Sequence, residues 1–373
     1  MKTQIKLLTI CHLLNAICLS AYAQGSLTPP GAPGPTMKTL DQVEARTPID
    51  VAHTPGDGTN QFIISMPGSY YLTGNLIGVG GLNGISVQSD NVTIDLNGFA
   101  LMGGSNTLNG INVPGLQKNL RVHNGSVQNW GQSGVNCGSA SNSQFDHLRA
   151  SQNRGMGILS GDGSVLNACC VETNGSFGMF AGAGNTLTGC TALNNSSVGI
   201  GSGSYCTVTA CSVTGNGAGG FAMGNNCSII GCSSSRNNGH GFAMGDGCTV
   251  KDCTSTFNAF TGINGGALLT ISSCTACYNS GDGIVCFRDC LISGNIASYN
   301  ANGIRVSAPG SLNRIDGNTA NHNSNVGILW QNDLVVRNSA FLNGSANYSP
   351  GVGTGNTGPL NAASSSTSPW ANF

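Results

Sequence analysis

Cysteines stand at positions 169, 190, 211, 232, 253 and 274, each 21 residues from the last. An asparagine follows each of them five residues later, at 174, 195, 216, 237, 258 and 279. A fixed period of this length predicts one structural unit laid down again and again. The asparagine file outlasts the cysteines, running back to Asn153 and Asn129 and on to Asn300, Asn323 and Asn343. Four residues beyond most of these comes a glycine and then an apolar residue, as in Gly220-Phe221, Gly241-Phe242 and Gly262-Ile263; Asn300 reaches Gly303-Ile304 one residue early.

Inside each unit the apolar residues alternate in short runs broken by Asn and Gly, with no helical period. In residues 206–226 the alternation points Val208, Cys211, Val213, Phe221 and Met223 inward. One turn of three short strands buries nothing alone. Turns stacked about 4.8 Å apart bring each file of side chains against its own copies. A hexapeptide period belongs to left-handed coils, whereas 21 residues suits a right-handed turn with one less regular corner. At a corner, Asn tolerates unusual backbone angles and stacked amides bond to one another. Asn153, Asn174, Asn195, Asn216, Asn237, Asn258, Asn279, Asn300, Asn323 and Asn343 are therefore expected to form a structural ladder.

Through the repeated N-x-x-x-G-[IF] and the buried C-x-[AV], the chain resembles right-handed parallel β-helix proteins of the pectate-lyase-like superfamily over residues 80–343. The upstream stretches "PGSYYLTGNLIG" and "DNVTIDLNGFALMGG" look like opening segments of secreted bacterial proteins of this repeat family. The resemblance implies an all-β, single-stranded right-handed parallel β-helix. It implies little about activity, because the fold hosts lyases, hydrolases, epimerases, adhesins and binders.

Lys2 and Lys6, an apolar run and "AYA" at 21–23 have the order of a secretory signal, expected over residues 1–23. A Pro-rich linker is expected over 24–58, the coil with its N-terminal cap strands over 59–343, and a Gly/Ser-rich tail over 344–373. Trp370 and Phe373 are candidates to fold back over an open strand edge. No stretch is apolar enough for a membrane span, and a net charge of −1 without a basic stripe argues against nucleic acid. The expected location is secreted, periplasmic or at the cell surface.

Gly239-His240-Gly241 resembles part of the polygalacturonase signature, but one period earlier Gly219 holds the place of His240. The paired aspartates and basic residue of that signature are absent in register, so His240 reads as structural. Asp246, Asp252, Asp282 and Asp289 have no carboxylate one period away, where Asp282 is expected to face Gly303. No metal site and no cofactor are expected, since a hard cation needs several oxygens converging on one point. The densest polar cluster comprises Lys118, Arg121 and His123, then Asp146, His147 and Arg149. Of these, His123, Asp146, His147 and Arg149 are the catalytic candidates, with groups suited to proton transfer.

The fourteen cysteines beyond the expected signal read as small apolar core residues, because Leu269 stands in the second file formed by Cys206, Cys227, Cys248 and Cys290. Arg236, Phe257, Tyr278, Tyr299 and His322 precede the ladder asparagines and form an outward file. They are candidates for carbohydrate binding, with rings stacking on sugars and Arg236 holding a uronate carboxylate. The function expected is that of an exported scaffold that binds or organises extracellular polysaccharide, or forms part of a cell-surface or adhesive layer. The competing reading is a carbohydrate-active enzyme: a polysaccharide lyase, glycoside hydrolase or epimerase.

Overall fold

The computed structural model describes residues 44–307, 312–350, 357–360 and 367–373. The chain divides into Met1–Ala45 and Arg46–Phe373, and the second unit is a right-handed parallel β-helix of about 14 turns. The segment expected to be a signal lies outside the described residues. Among the described residues there are two sheets, one of 23 strands and one of 14, and no helix. The larger sheet receives two short strands per turn, the smaller one. In-register parallel pairing joins each strand to its successor, as in Phe221↔Phe242 and Val208↔Ile229.

The turn from Cys206 to Asn226 shows how the sequence bends the chain. Strands Thr207–Thr209, Ser212–Thr214 and Phe221–Met223 are its three sides. Left-handed residues Ala210 (φ 52°), Gly215 (φ 69°) and Asn226 (φ 56°) make the bends. Each bend takes an amide out of the sheet ladders, and a buried unpaired amide costs about 1–3 kcal/mol. The residue just after each bend solves this. Asn195 accepts both the backbone and side-chain N–H of Asn174 on Oδ1, at 3.0 and 2.9 Å. Its own Nδ2 donates onward to Asn216 and to the carbonyl of Val171. Such bonds link every member from Asn153 to Asn343 without a gap.

The cysteine files follow the same rule, so they do more than fill space. Cys190 N donates to Cys211 Sγ and Cys206 N to Cys227 Sγ, both at 3.4 Å. The thiols donate in turn to carbonyls, as Cys190 does to Leu166 O at 3.5 Å. All fourteen cysteines of the described residues are free thiols. The pairing of Cys206 with Cys211 that a corner would permit is not formed.

Two registers depart from expectation. Asn129 (φ 61°) occupies the bend itself, and Trp130 takes the ladder place, its amide donating to Asn153 Oδ1 at 3.1 Å. Trp130 is wholly buried, and Gly78, Gly84, Gly103 and Gly110 leave it room; a Cβ on any of the four would come within 2.8 Å or so of its ring or of neighbouring backbone. Asp282 faces Asn302, not Gly303, because the next turn is one residue shorter; Asn302 Nδ2 and Arg305 Nε bond its carboxylate. Within the expected cap region, strands Asn60–Ile64 and Gly68–Tyr71 pair with the strands that follow them, and upstream Thr47–Pro48 pairs with Tyr70–Tyr71.

At the far end, Asn372 sits above Asn338 and accepts its amide at 2.9 Å, closing the ladder that the cysteines began. Phe373 N donates to Asn338 O, and Ala340 N to Phe373 O.

Candidate functional site

The early turns carry the densest polar surface. In the larger sheet Asp95, His123 and Asp146 fall in register on three consecutive turns. Arg46 Nη1 holds Asp95 Oδ2 at 2.8 Å, and Arg121 Nε holds Asp146 Oδ2 at 3.1 Å. His123 Nδ1 lies 3.8 Å from Asp95 Oδ1, too far for a hydrogen bond. Partial burial pushes the His123 imidazole below its ordinary pKa, only partly offset by the Asp95 carboxylate. It is therefore neutral near pH 7, with a nitrogen able to accept a proton.

Of the four catalytic candidates, His123 and Asp146 come together and Arg149 does not join them. Strand Gln144–Ser151 bends at His147 (φ 51°), which separates Asp146 from Arg149. Arg149 falls in register with Ser126 and Cys170 on the second leg. There it lines two depressions. One of about 350 Å³ is formed with Ser126, Gln128, Ser151, Cys170 and Glu172; the other, about 260 Å³, with Gly98, Asn124, Gly125, Ser126 and His147. Arg46, Arg121, Arg288, Arg305, Arg314 and Arg337 each pair with an aspartate. Arg149 has no such partner among the described residues.

Asp95 and Arg46 complete this surface and were not legible as site residues. Asp95 lies 28 residues before His123, and Asp146 lies 23 after it, so a 21-residue period cannot align them.

The second set of candidates forms a continuous stack. Phe257, Tyr278, Tyr299 and His322 follow one another at ring separations of 5.1, 4.7 and 4.9 Å, all within 8° of parallel. The Arg236 guanidinium covers the Phe257 ring at 5.6 Å. Each internal face is thus already occupied by a neighbour. What the file turns to solvent is ring edges and two phenol hydroxyls.

His240 lines an apolar depression of about 450 Å³ with Val198, Ala222, Ala243 and Phe260. Its ring packs 5.6 Å from Phe260, and burial lowers its pKa. Its neighbour Gly241 is dictated by packing: a Cβ there would lie 2.0 Å from Ser255 Oγ, which itself bonds Gly262 O. Among the described residues no three His, Cys, Asp or Glu side chains converge as a metal site.

Residues 198–341 match the family described as right handed beta helix region. No curated protein matches the chain in sequence. Among solved structures, the chain is similar to the A-module of the Azotobacter vinelandii mannuronan C-5 epimerase AlgE4. The identity is 15%, the match covers 77% of this chain and 88% of that one, and the TM-score is 0.50. The periplasmic alginate epimerase AlgG matches at 12% identity over 72% of this chain and 74% of its own, with a TM-score of 0.47. The Dettilon tailspike protein matches at 14% identity over 76% and 61%, with a TM-score of 0.48. At these identities the likeness is one of fold.

Proposed function

We propose that this β-helix is an exported glycan-binding scaffold that takes a polysaccharide along the outer face of the larger sheet in its early turns. The observation that carries the reading is Arg149: a guanidinium with no carboxylate partner among the described residues, lining two depressions. Ser126, Gln128, Ser151 and Glu172 ring one of them with donors and acceptors at strand spacing. A hydroxyl-rich chain needs such groups on an open, elongated face. The depressions are lined mostly by strand residues, with no inserted loop among their lining. Among the described residues no helix is long and apolar enough to cross a membrane. Export is suggested by the order of residues 1–23. The Azotobacter vinelandii protein of the same fold is by name a mannuronan epimerase, yet the reading rests on this chain's own surface.

One observation favours a second reading. A neutral imidazole between Asp95 and Asp146 is a competent general base, as a carbohydrate lyase or epimerase would use. A single panel separates the two. Acidic and neutral polysaccharides are tested for retention and for new reducing ends, unsaturated ends or epimerised units. Retention without conversion, weakened at least tenfold in Arg149→Ala, is the expected result. Conversion abolished in His123→Ala would replace the scaffold with an enzyme, and neither retention nor conversion of any glycan would remove both readings.

A further inference from the structure

The far end of the coil carries a cleft outside every surface considered so far. Residues 357–360 extend the larger sheet one step beyond Leu334–Val336, through the Val335–Thr357 bridge and the bond from Gly358 N to Val335 O at 2.9 Å. Beside it, Arg337 N donates to Trp370 O and Asn372 tops the ladder. A cavity of about 440 Å³ lies where these segments meet the sheet. Leu334 and Val336 give it an aliphatic floor, Pro359 and Trp370 rise beside it, and Arg314 stands at its edge. Here, in contrast to the depressions at Arg149, chain from outside the strands forms a wall.

The charge of the cleft is uneven. Arg314 binds Asp316 Oδ2 through Nε and Nη2, at 3.1 and 2.7 Å, and Arg337 binds the same carboxylate through Nε and Nη2. Two guanidinium groups thus share one carboxylate, which leaves an excess positive charge. Arg314 Nη1 has no hydrogen-bond partner among the described residues and can donate to a further anion. The Arg337 guanidinium also lies 5.4 Å from the centre of the Trp370 ring, which holds the indole in place while leaving it 51% exposed.

We infer that this cleft is a binding site for a single sugar unit bearing an anionic group. The Trp370 indole and the Leu334–Val336 floor take the apolar C–H face of the ring, and Arg314 takes the anion. The site stands roughly 40 Å along the coil from Arg149, nine strand spacings of about 4.8 Å. It therefore goes beyond the early-turn reading and fails or survives separately from it.

Tryptophan fluorescence isolates the site, because Trp130 and Trp330 are buried and Trp370 is exposed. Trigalacturonate is titrated into the full chain while acrylamide quenching is followed, with maltotriose as the neutral probe. The expected result is protection of one quenchable tryptophan by trigalacturonate, at least tenfold weaker with maltotriose. Arg314→Gln and Leu334→Glu should each weaken it at least tenfold, while Arg149→Gln leaves it unchanged. Leu334 stands in register with Arg314, so Leu334→Glu sets a carboxylate beside its guanidinium that repels an anion; an unchanged melting curve shows that a loss of binding there is not a loss of folding. The inference is overturned if millimolar trigalacturonate leaves quenching unchanged, if maltotriose protects equally, or if Leu334→Glu binds as the parent does.

Discussion

Asn295 stands one turn above Cys274 and accepts its backbone N–H on Oδ1 at 2.9 Å, the bond that Cys211 Sγ supplies to Cys190 lower in the same file. Thiol and carboxamide are thus interchangeable at this bend. Each offers an acceptor to the turn before and a donor to a carbonyl: Cys274 to Val250, Asn295 to Ile271. The column of sulfurs is a hydrogen-bonding ladder that changes residue type at 295 and continues through Asn318 and Asn338 to Asn372.

Replacement in mid-file tests this equivalence. Cys232 N donates to Cys253 Sγ at 3.4 Å. Cys253→Asn keeps an acceptor there and should leave the urea midpoint near that of the parent. Cys253→Val keeps the apolar volume and strands the Cys232 amide, a loss of about 1–3 kcal/mol. If valine proves as good as asparagine, the thiols act only as packing.

Burial sets thiol reactivity. Cys170 is half-buried and lies in register with Arg149 on the outer face, whereas the other thirteen thiols of the described residues are buried. Burial pushes the Cys137 thiol well above its ordinary pKa, which leaves little thiolate at neutral pH. Titration with an aromatic disulfide reagent should find one fast thiol in the native protein and the rest only in denaturant. Cys170→Ser should remove the fast phase. Several fast thiols would mean that the coil opens readily.

Much of the coil was legible because its period is unbroken from Cys169 to Asn279, so that a count of residues is also a count of turns. The bends were less so. Tyr205, Leu268, Phe257, Tyr278 and Tyr299 all hold positive φ, a conformation that costs a residue with a Cβ roughly 1–2 kcal/mol and that sequence alone assigns to Gly or Asn. The stack imposes it, since the register of neighbouring turns leaves no other backbone path. The early site was hidden for the opposite reason: turns of unequal length bring Asp95 under His123 with no period to reveal it. Cys and Asn exchange in one file because hydrogen bonding, and not polarity, selects them.

Leu269 shows a local compensation that can be reversed. It occupies a place held by Cys248 below and Cys290 above, and its side chain fills the space beside Gly265, whose Cβ would lie 2.2 Å from Leu269 Cδ1. In the preceding turns the place of Gly265 is held by Met223 and Met244. Gly265→Met alone should therefore overpack the core, at a cost of about 1–3 kcal/mol. Leu269→Cys alone should leave a void. The double variant restores the unit of the preceding turns, and a double-mutant cycle should give a coupling of at least about 1 kcal/mol. Additive effects would show that the two sites do not share space.

Acid should loosen the far end. The guanidinium groups of Arg337 and Arg314 hold the Asp316 carboxyl below its ordinary value of 3.8. A carboxyl depressed in the folded state stabilises it above the unfolded pKa, and that contribution is lost as the pH falls through 3.8 and below. The parent should therefore exceed Asp316→Asn in thermal stability at pH 7, and the difference should begin to shrink near pH 3.8 and vanish only below the depressed folded-state pKa. Melting followed by Trp370 emission from pH 7 to pH 2.5 makes the comparison. A difference that persists unchanged into acid would show that the ion pairs contribute nothing to stability.

The aromatic file should matter to the coil more than to a ligand. Tyr278 has Phe257 on one face at 5.1 Å and Tyr299 on the other at 4.7 Å, so a sugar cannot stack on it without breaking the file. Parallel aromatic pairs contribute about 0.5–1.5 kcal/mol each beyond their buried area. Tyr278→Ala removes two such pairs and should lower stability by about 1–3 kcal/mol, with Tyr299→Ala similar because it separates Tyr278 from His322. Retention of polysaccharide by the double variant should stay within twofold of the parent at a temperature where both are folded. A tenfold loss under those conditions would move the glycan site from the Arg149 face to this ridge, with ring edges and hydroxyls as the recognition groups.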